Sequence, residues 1–269
     1  MEKIVVTGAS SGIGLEIATQ LARPGRKLWL VGRNRDKLQD LASTVEANGA
    51  AAEVVALDLM DREACARFLE SSFPDGEPAD EVYLSAAVSM FGEVKDVLDE
   101  DWRWIYETNL LSPIQWMLHF YRGMAAAGRG RIVLLSSLSA YTGYPTAVPY
   151  AAMKAGLMGV FRSIRHEGEL LGVTFHLVSP GYVDTEIYKR AKYRSTSYEQ
   201  TMRLIGTLGF KVISAEEAAR RIVRQVGRGK RDICLPAYAC FLAWLAPRMP
   251  FIIDRIHRKI LEKFRRTAA

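Results

Sequence analysis

Cysteine and histidine are scarce, with three and four residues in a chain of 269. Cys65, Cys234 and Cys240 form an odd set without the spacing of a disulfide framework or a zinc site, and the histidines (His119, His166, His176 and His257) are scattered. No metal site is expected, and a reducing, cytoplasmic compartment is. The opening MEKIVVTGAS runs straight into a strand pattern, without the charged and apolar regions of a secretory signal, so none is expected. Low-complexity tracts, internal repeats and linkers are also lacking, which argues against a disordered or modular chain. The longest apolar run, LPAYACFLAWLA at Leu235–Ala246, has twelve residues, short of the roughly 20 that cross a bilayer.

What is present suits one large α/β unit: 49% hydrophobic and 25% charged residues over 269 positions. The net charge of +6 is uneven, with six Lys/Arg against one Glu between Arg255 and Arg266. Basic residues do not interleave with aromatics as base-stacking surfaces require, so nucleic acid is not an expected partner. Short β-branched runs alternate with helical patterns. Strands are expected at Ile4–Gly8, Lys27–Gly32, Ala52–Leu59, Glu81–Ala87, Arg131–Ser137, Val173–Pro180 and Asp232–Leu235. Helices are expected at Gly12–Ala22, Arg35–Ala47, Asp61–Phe73, Asp101–Ala127, Tyr150–Leu171 and Ser214–Val226. Strands joined through helices imply a doubly wound parallel sheet of the Rossmann type. Residues 1–235 read as a dinucleotide-binding catalytic domain and 236–269 as an apolar, basic extension that is not a separate domain.

The first strand-to-helix turn is Thr7-Gly8-Ala9-Ser10-Ser11-Gly12-Ile13-Gly14. Its glycines allow close approach of a pyrophosphate to backbone, the helix start offers free N–H groups, and Ser10 and Ser11 add hydroxyls. The plain alternative is an ordinary glycine-rich turn, but its place in the first βα unit favours nucleotide. The second strand ends in Gly32-Arg33-Asn34-Arg35. An acidic residue there would hold the ribose 2′-hydroxyl of NAD; Arg33, flanked by Asn34, suits the 2′-phosphate of NADP instead. NADP(H) is therefore the expected cofactor and NAD(H) the lesser alternative. Asp58, followed by Leu59, either accepts from the adenine amino group or caps the next helix, a task for which Asp61 is better placed.

Tyr150 and Lys154 stand four apart at the start of a long helix, on one face. A neighbouring ammonium is expected to lower the phenol's pKa and fit it for proton transfer at a carbonyl oxygen. Ser137, thirteen residues earlier at a strand end, can hold that oxygen; Ser136 is its neighbour, and the spacing to Tyr150 favours Ser137. Alone, a Tyr-x-x-x-Lys pair is usually a solvated face; beside a nucleotide loop and a strand-end serine it points to chemistry.

In TGASSGIG (Thr7–Gly14), ETN (Glu107–Asn109), IVLLSS (Ile132–Ser137), YAAMK (Tyr150–Lys154) and SPGYVDT (Ser179–Thr185), the sequence resembles the short-chain dehydrogenase/reductase family over nearly its whole length. The resemblance implies an oxidoreductase that moves the pro-S hydride between nicotinamide and a carbonyl/alcohol pair without a metal. It assigns Tyr150 as acid/base and Ser137 as the group orienting the carbonyl. Lys154 would hold the nicotinamide ribose, and Asn109 would keep a water in a proton relay. Pro180, Gly181, Val183 and Thr185 would line the nicotinamide side, and the partner would be a second copy in a homodimer or homotetramer. One departure stands out: Leu84-Ser85-Ala86-Ala87 replaces the family's Asn-Asn-Ala-Gly. Small residues such as Ala86 still leave room for cofactor, but only Ser85 can replace the asparagine that braces the sheet. A non-catalytic nucleotide sensor or scaffold on the same fold would need the glycine loop and Arg33 but not the tyrosine–lysine pair.

Thr185–Lys211 reads as an irregular, polar substrate-binding flap carrying Tyr188, Tyr193, Tyr198 and Met202. In the tail, Ile252, Ile256, Ile260 and Phe264 recur every fourth residue among basic side chains. That basic amphipathic helix either rests on an anionic membrane surface, in which case a lipid- or steroid-like carbonyl substrate is expected, or packs on a partner subunit or over the active site.

Overall fold

The computed structural model describes residues 1–74 and 77–268; Ala269, the last residue of the predicted 236–269 extension, lies outside the described residues. The chain runs β1 (Glu2–Thr7), α1 (Gly12–Leu21), β2 (Arg26–Gly32), α2 (Arg35–Ala47), β3 (Ala51–Ala56), α3 (Arg62–Ser72), β4 (Glu81–Leu84) and the two-residue β5 (Met90–Phe91). It continues through α4 (Asp99–Tyr106), a π-helical turn at Glu107–Leu111, α5 (Ser112–Ala127), β6 (Gly130–Leu135), the single turn α6 (Ser139–Thr142) and α7 (Val148–Leu170). Then come β7 (Val173–Pro180), β8 (Val183–Asp184), β9 (Lys192–Tyr193), α8 (Tyr198–Thr207), β10 (Ile213–Ser214), α9 (Ala215–Gly227), β11 (Asp232–Leu235), α10 (Ala237–Leu245) and α11 (Pro250–Ala268).

Seven strands form one parallel sheet in the order β11-β7-β6-β4-β1-β2-β3, a Rossmann-like arrangement. Its strands read as continuous apolar runs because both faces are covered. On one face Ile4, Val6, Leu28 and Leu30 pack with Ile17 and Leu21 of α1, Leu38 and Leu41 of α2, and Ile222 and Val226 of α9. On the other, Val5, Trp29, Val82 and Ile132 pack with Leu69 of α3, Trp116 and Phe120 of α5, and Phe161 of α7. The chain leaves β1 toward β2 and β3, then crosses back to β4, so the order reverses between β1 and β4. Loops diverge there at the strands' carboxyl ends, opening the crevice in which such sheets bind ligands.

Three expectations change. The strands stop sooner than their apolar runs suggest: β3 at Ala56, β4 at Leu84 and β6 at Leu135. Asp58 and Ser137 therefore lie just beyond strand ends, in the crevice loops. The expected Asp101–Ala127 helix is broken by the π-turn at Glu107–Leu111. The flap is not irregular: it contains β9 and α8, the latter opened by a reciprocal cap in which Ser197 accepts from the Gln200 N–H and the Gln200 side chain accepts from the Ser197 N–H. Of the alternatives for the tail, packing on the protein is the one seen for its isoleucine stripe. Ile260 and Phe264 are buried with Ile256 against Leu204 and Leu208 of the flap.

Candidate active site

The phosphate loop takes its shape from backbone that only glycine supplies cheaply. Gly8 and Gly12 have φ of +71° and +56°, and a Cβ on Gly8 would stand 2.8 Å from the Ala86 Cα. The missing family asparagine is replaced in function by Ser85: its hydroxyl donates to the Thr7 carbonyl, and its N–H donates to Thr7 Oγ1 at 3.1 Å. Ser85 thus ties β4 to β1 just below the loop.

Two contiguous clefts open at the sheet's carboxyl edge. The first is lined by Gly8, Ser11, Gly12, Ile13, Gly14 and Arg33 at one end, and by Ser137, Tyr150, Lys154, Pro180, Gly181, Val183 and Thr185 at the other. The second continues past Ser10, Arg33, Asn34, Asp58, Leu59 and Ala86. Together they gather every residue expected to bind the dinucleotide except Asn109. Arg33 is exposed and has no ion-pair partner among the described residues. Asp58 accepts from the Met60 N–H at 3.0 Å, and Asp61 caps α3 by accepting from the Ala64 N–H at 2.9 Å. The division of labour between those two aspartates is now visible.

Asn109 is wholly buried in the π-turn and does not reach the cleft. Its Oδ1 accepts from the Val88 N–H and its Nδ2 donates to the Val88 carbonyl, both at 2.8 Å. Both amide groups are therefore committed to holding the β4–β5 loop, whose Val88 lines both clefts. Widening a helix by one residue per turn is what turns Asn109 inward onto that loop.

Tyr150 is half-buried on the first full turn of α7, and its hydroxyl is hydrogen-bonded to Ser137. Ser137 Oγ also accepts from the Ser139 N–H at 3.2 Å, which fixes its position at the start of α6. Lys154, 2% exposed, donates to the Leu135 carbonyl at 2.8 Å, and its Nζ lies 5.7 Å from the Tyr150 ring centre. Ser136 donates to the Lys154 carbonyl at 2.8 Å, locking α7 to the end of β6. The expected lowering of the Tyr150 pKa does not occur. Burial pushes the phenol up to about 12, against a smaller downward pull from the Ser137 hydrogen bond. Burial also lowers Lys154 to about 7, which removes much of the charge that was to stabilise a phenolate.

A second cavity meets the first at Ser137 and Tyr150. Phe91, Tyr144, Tyr182, Tyr188 and Phe210 wall it from the core side, and Leu242, Ile253, Ile256, His257 and Ile260 close it from the tail. Tyr182 donates to the Tyr144 hydroxyl at 3.0 Å, and burial raises both phenols, as it does Tyr188, so all three stay neutral. Among the described residues no His/Cys/Asp/Glu cluster could hold a metal.

Three residues that sequence reasoning passed over meet at the margin of the cofactor cleft. Lys37 of α2 pairs with Glu186 of the flap at 3.0 Å, Arg190 pairs with Glu186 from the other side, and Arg190 Nη1 lies 3.5 Å from Ser11 Oγ. The i,i+4 spacing of Glu186 and Arg190 is local, but nothing local links them to Lys37 or Ser11, which stand 149 and 179 residues away.

The family model for short chain dehydrogenases matches residues 2–195, most of the chain. The chain belongs to the short-chain dehydrogenase/reductase family. It is 30% identical over 95% of its length to 11-beta-hydroxysteroid dehydrogenase A of Sesamum indicum, 74% of which is covered. A short-chain dehydrogenase from Sphingobium yanoikuyae in complex with NADPH superposes with a TM-score of 0.79, at 22% identity, covering 94% of this chain and 96% of that one. A family member from Burkholderia phymatum in complex with NAD gives 0.82 at 19% identity, covering 93% and 94%. At those identities the two structures attest the fold. The sheet, crevice and loop of this short-chain dehydrogenase/reductase are thus those of an oxidoreductase family.

Proposed function

We propose that the protein is an NADP(H)-dependent oxidoreductase that interconverts a bulky apolar ketone and its secondary alcohol. The observation that carries this reading is the shared wall: Ser137 and Tyr150 border both the cleft of the phosphate loop and the apolar cavity. A dinucleotide suits the first cleft by its donors, since a glycine turn, serine hydroxyls and the unpaired Arg33 face a molecule rich in phosphate. Arg33 in place of an acidic residue favours the 2′-phosphate. When bound, nicotinamide supplies or accepts the hydride.

The side chains account for the proton. With its pKa near 12, Tyr150 is a protonated phenol at neutral pH and can donate to a carbonyl oxygen as hydride reaches the carbon. The C=O bond becomes C–H and O–H, and the phenolate left behind is adjacent to Lys154, which is partly protonated near pH 7. Ser137 donates to the same oxygen and holds the carbonyl carbon toward the cofactor side. In the oxidative direction each step reverses.

The cavity's tyrosine, phenylalanine and isoleucine walls favour a hydrophobic substrate, and the sesame relative's name refers to a hydroxysteroid. The test is turnover of NADPH and NADH with a panel of ketones from small and polar to polycyclic. Preference for small polar ketones would refute the substrate class, and preference for NADH would refute the cofactor.

A second observation bears on location. Phe241, Trp244 and Phe251 are 56%, 53% and 63% exposed at the α10–α11 corner, with Arg248 4.8 Å over the Trp244 ring. No helix is long and apolar enough to cross a membrane among the described residues. We infer that this corner, with Arg248 beside it, dips into an anionic membrane surface.

A further inference from the structure

The flap brings a second arginine to the adenosine end of the cofactor cleft. Arg190 lines the same cleft as Arg33, Asn34 and Asp58, and it also lines the cleft of the phosphate loop. Its guanidinium is held by Glu186, which Lys37 holds in turn from the first turn of α2, immediately after Arg33 and Asn34. Three cations, Arg33, Lys37 and Arg190, and one carboxylate besides Asp58, that of Glu186, therefore stand at this margin. The side chains of Lys37, Glu186 and Arg190 are each about two-fifths exposed, at 41%, 42% and 42%, so all can move.

A phosphate monoester carries about −1.5 to −2 charges at neutral pH and accepts bidentate bonds from arginine, where a carboxylate carries one charge. We infer that Arg190 is the second cation, with Arg33, for the 2′-phosphate of NADP(H), and that Glu186 holds Arg190 in readiness until the phosphate displaces it. Lys37 keeps Glu186 once Arg190 turns away, so no carboxylate is stranded beside the incoming anion. This assignment rests on the NADP(H) reading above and extends it to residues from a different part of the chain. It also joins cofactor recognition to the substrate side, because Ile187 and Tyr188, next to Glu186, line the apolar cavity.

The test is direct binding, without turnover. Fluorescence titration gives Kd for NADPH and NADH, and calorimetry gives Kd for 2′,5′-ADP, in wild type, Arg33→Ala, Arg190→Ala, Arg190→Lys and Glu186→Gln. Arg190→Ala is expected to weaken NADPH and 2′,5′-ADP about tenfold and NADH less than about twofold, with partial recovery in Arg190→Lys. Glu186→Gln is expected to tighten NADPH about threefold and leave NADH unchanged. Equal loss of NADPH and NADH in Arg190→Ala would assign the residue to the pyrophosphate and overturn the inference. Unchanged NADPH binding in Arg190→Ala, or weaker NADPH binding in Glu186→Gln, would also overturn it. Failure of the underlying cofactor reading looks different: wild type would bind NADH as tightly as NADPH, and Arg33→Ala would change neither. Should Arg190→Ala lose its circular dichroism signature, Arg190→Gln replaces it in the same comparison.

Discussion

At the scale of single residues, the tyrosine–lysine pair shows how burial competes with charge. Four-residue spacing brings Lys154 to Tyr150, but an ammonium that is 2% exposed pays a desolvation cost that drops its pKa to about 7. A half-neutral amine cannot pull a buried phenol down, so Tyr150 rises to about 12 and rests as an acid. Replacing Tyr150 by Phe removes the proton and leaves the ring; turnover is expected to fall about 10³-fold while the Kd for NADPH changes less than about twofold. Retention of full turnover in that variant would remove Tyr150 from the mechanism. The lysine has its own signature in stability. Below about 7 both folded and unfolded chains carry the proton, and the cost of the buried charge is at its greatest; between about 7 and 10.5 only the unfolded chain carries it. Wild-type stability attributable to Lys154 therefore rises with pH across that window. Lys154→Met is expected to exceed wild type in urea melts below pH 7 by a margin that narrows as pH climbs toward 10.5. A margin constant with pH would contradict a lysine buried in this way.

At the scale of elements, the first half of the flap is fastened at two points by charge. Near its start Glu186 meets Lys37; farther on, Asp101, wholly buried at the head of α4, receives Arg194 Nε at 2.8 Å and Lys192 Nζ at 3.2 Å. Those partners, Arg194 foremost, lower the Asp101 carboxyl to about 2 from its ordinary 3.8. A depressed carboxylate stabilises the fold above 3.8, and that contribution fades as pH falls toward 2. Asp101→Ala leaves two cations without their buried partner and is expected to cost about 3 kcal/mol in urea unfolding, with the gap to wild type closing as pH falls from 3.8 to 2. A gap unchanged over that interval would show that the ion pairs are not its source. None of this anchoring was legible in sequence, because it joins residues 91 to 149 positions apart. The π-turn was equally hidden: apolar residues at Ile105, Trp116, Met117, Phe120 and Met124 continue a helical stripe across it, and one extra residue in a turn leaves no mark in composition. What could be read was local. The glycine loop, the strand-end Arg33 and Ser137, and the i,i+4 tyrosine and lysine are each defined by neighbours along the chain, and all meet in the cleft. The ETN motif marks Asn109 in the sequence as a candidate for the cleft, but that its side chain grips Val88 instead of facing the cleft depends on the turn.

At the scale of the whole molecule, the tail is where sequence periodicity and tertiary packing part company. An isoleucine stripe every fourth residue describes a helix with one apolar face but not what covers it. Here Leu204 and Leu208 of the flap cover one part, and the substrate cavity takes Ile253, Ile256 and Ile260 as wall. The surface proposed to meet lipid is therefore the α10–α11 corner, where Phe241, Trp244 and Phe251 project, and not the stripe. The two surfaces predict separable phenotypes. Serine at Phe241, Trp244 and Phe251 together is expected to abolish co-sedimentation with vesicles of mixed phosphatidylserine and phosphatidylcholine, since each buried aromatic contributes about 2 kcal/mol, about 6 kcal/mol for the three, before electrostatic attraction is counted. Turnover of a water-soluble ketone should be unchanged, because none of the three lines the cavity. Alanine at Ile253, Ile256 and Ile260 should do the reverse, raising KM for bulky apolar ketones while vesicle binding persists. Negligible wild-type binding to anionic vesicles would end the membrane reading and leave the exposed corner as ordinary surface. Joint loss of both properties in either triple variant would mean that the tail acts as one structural unit without divided faces.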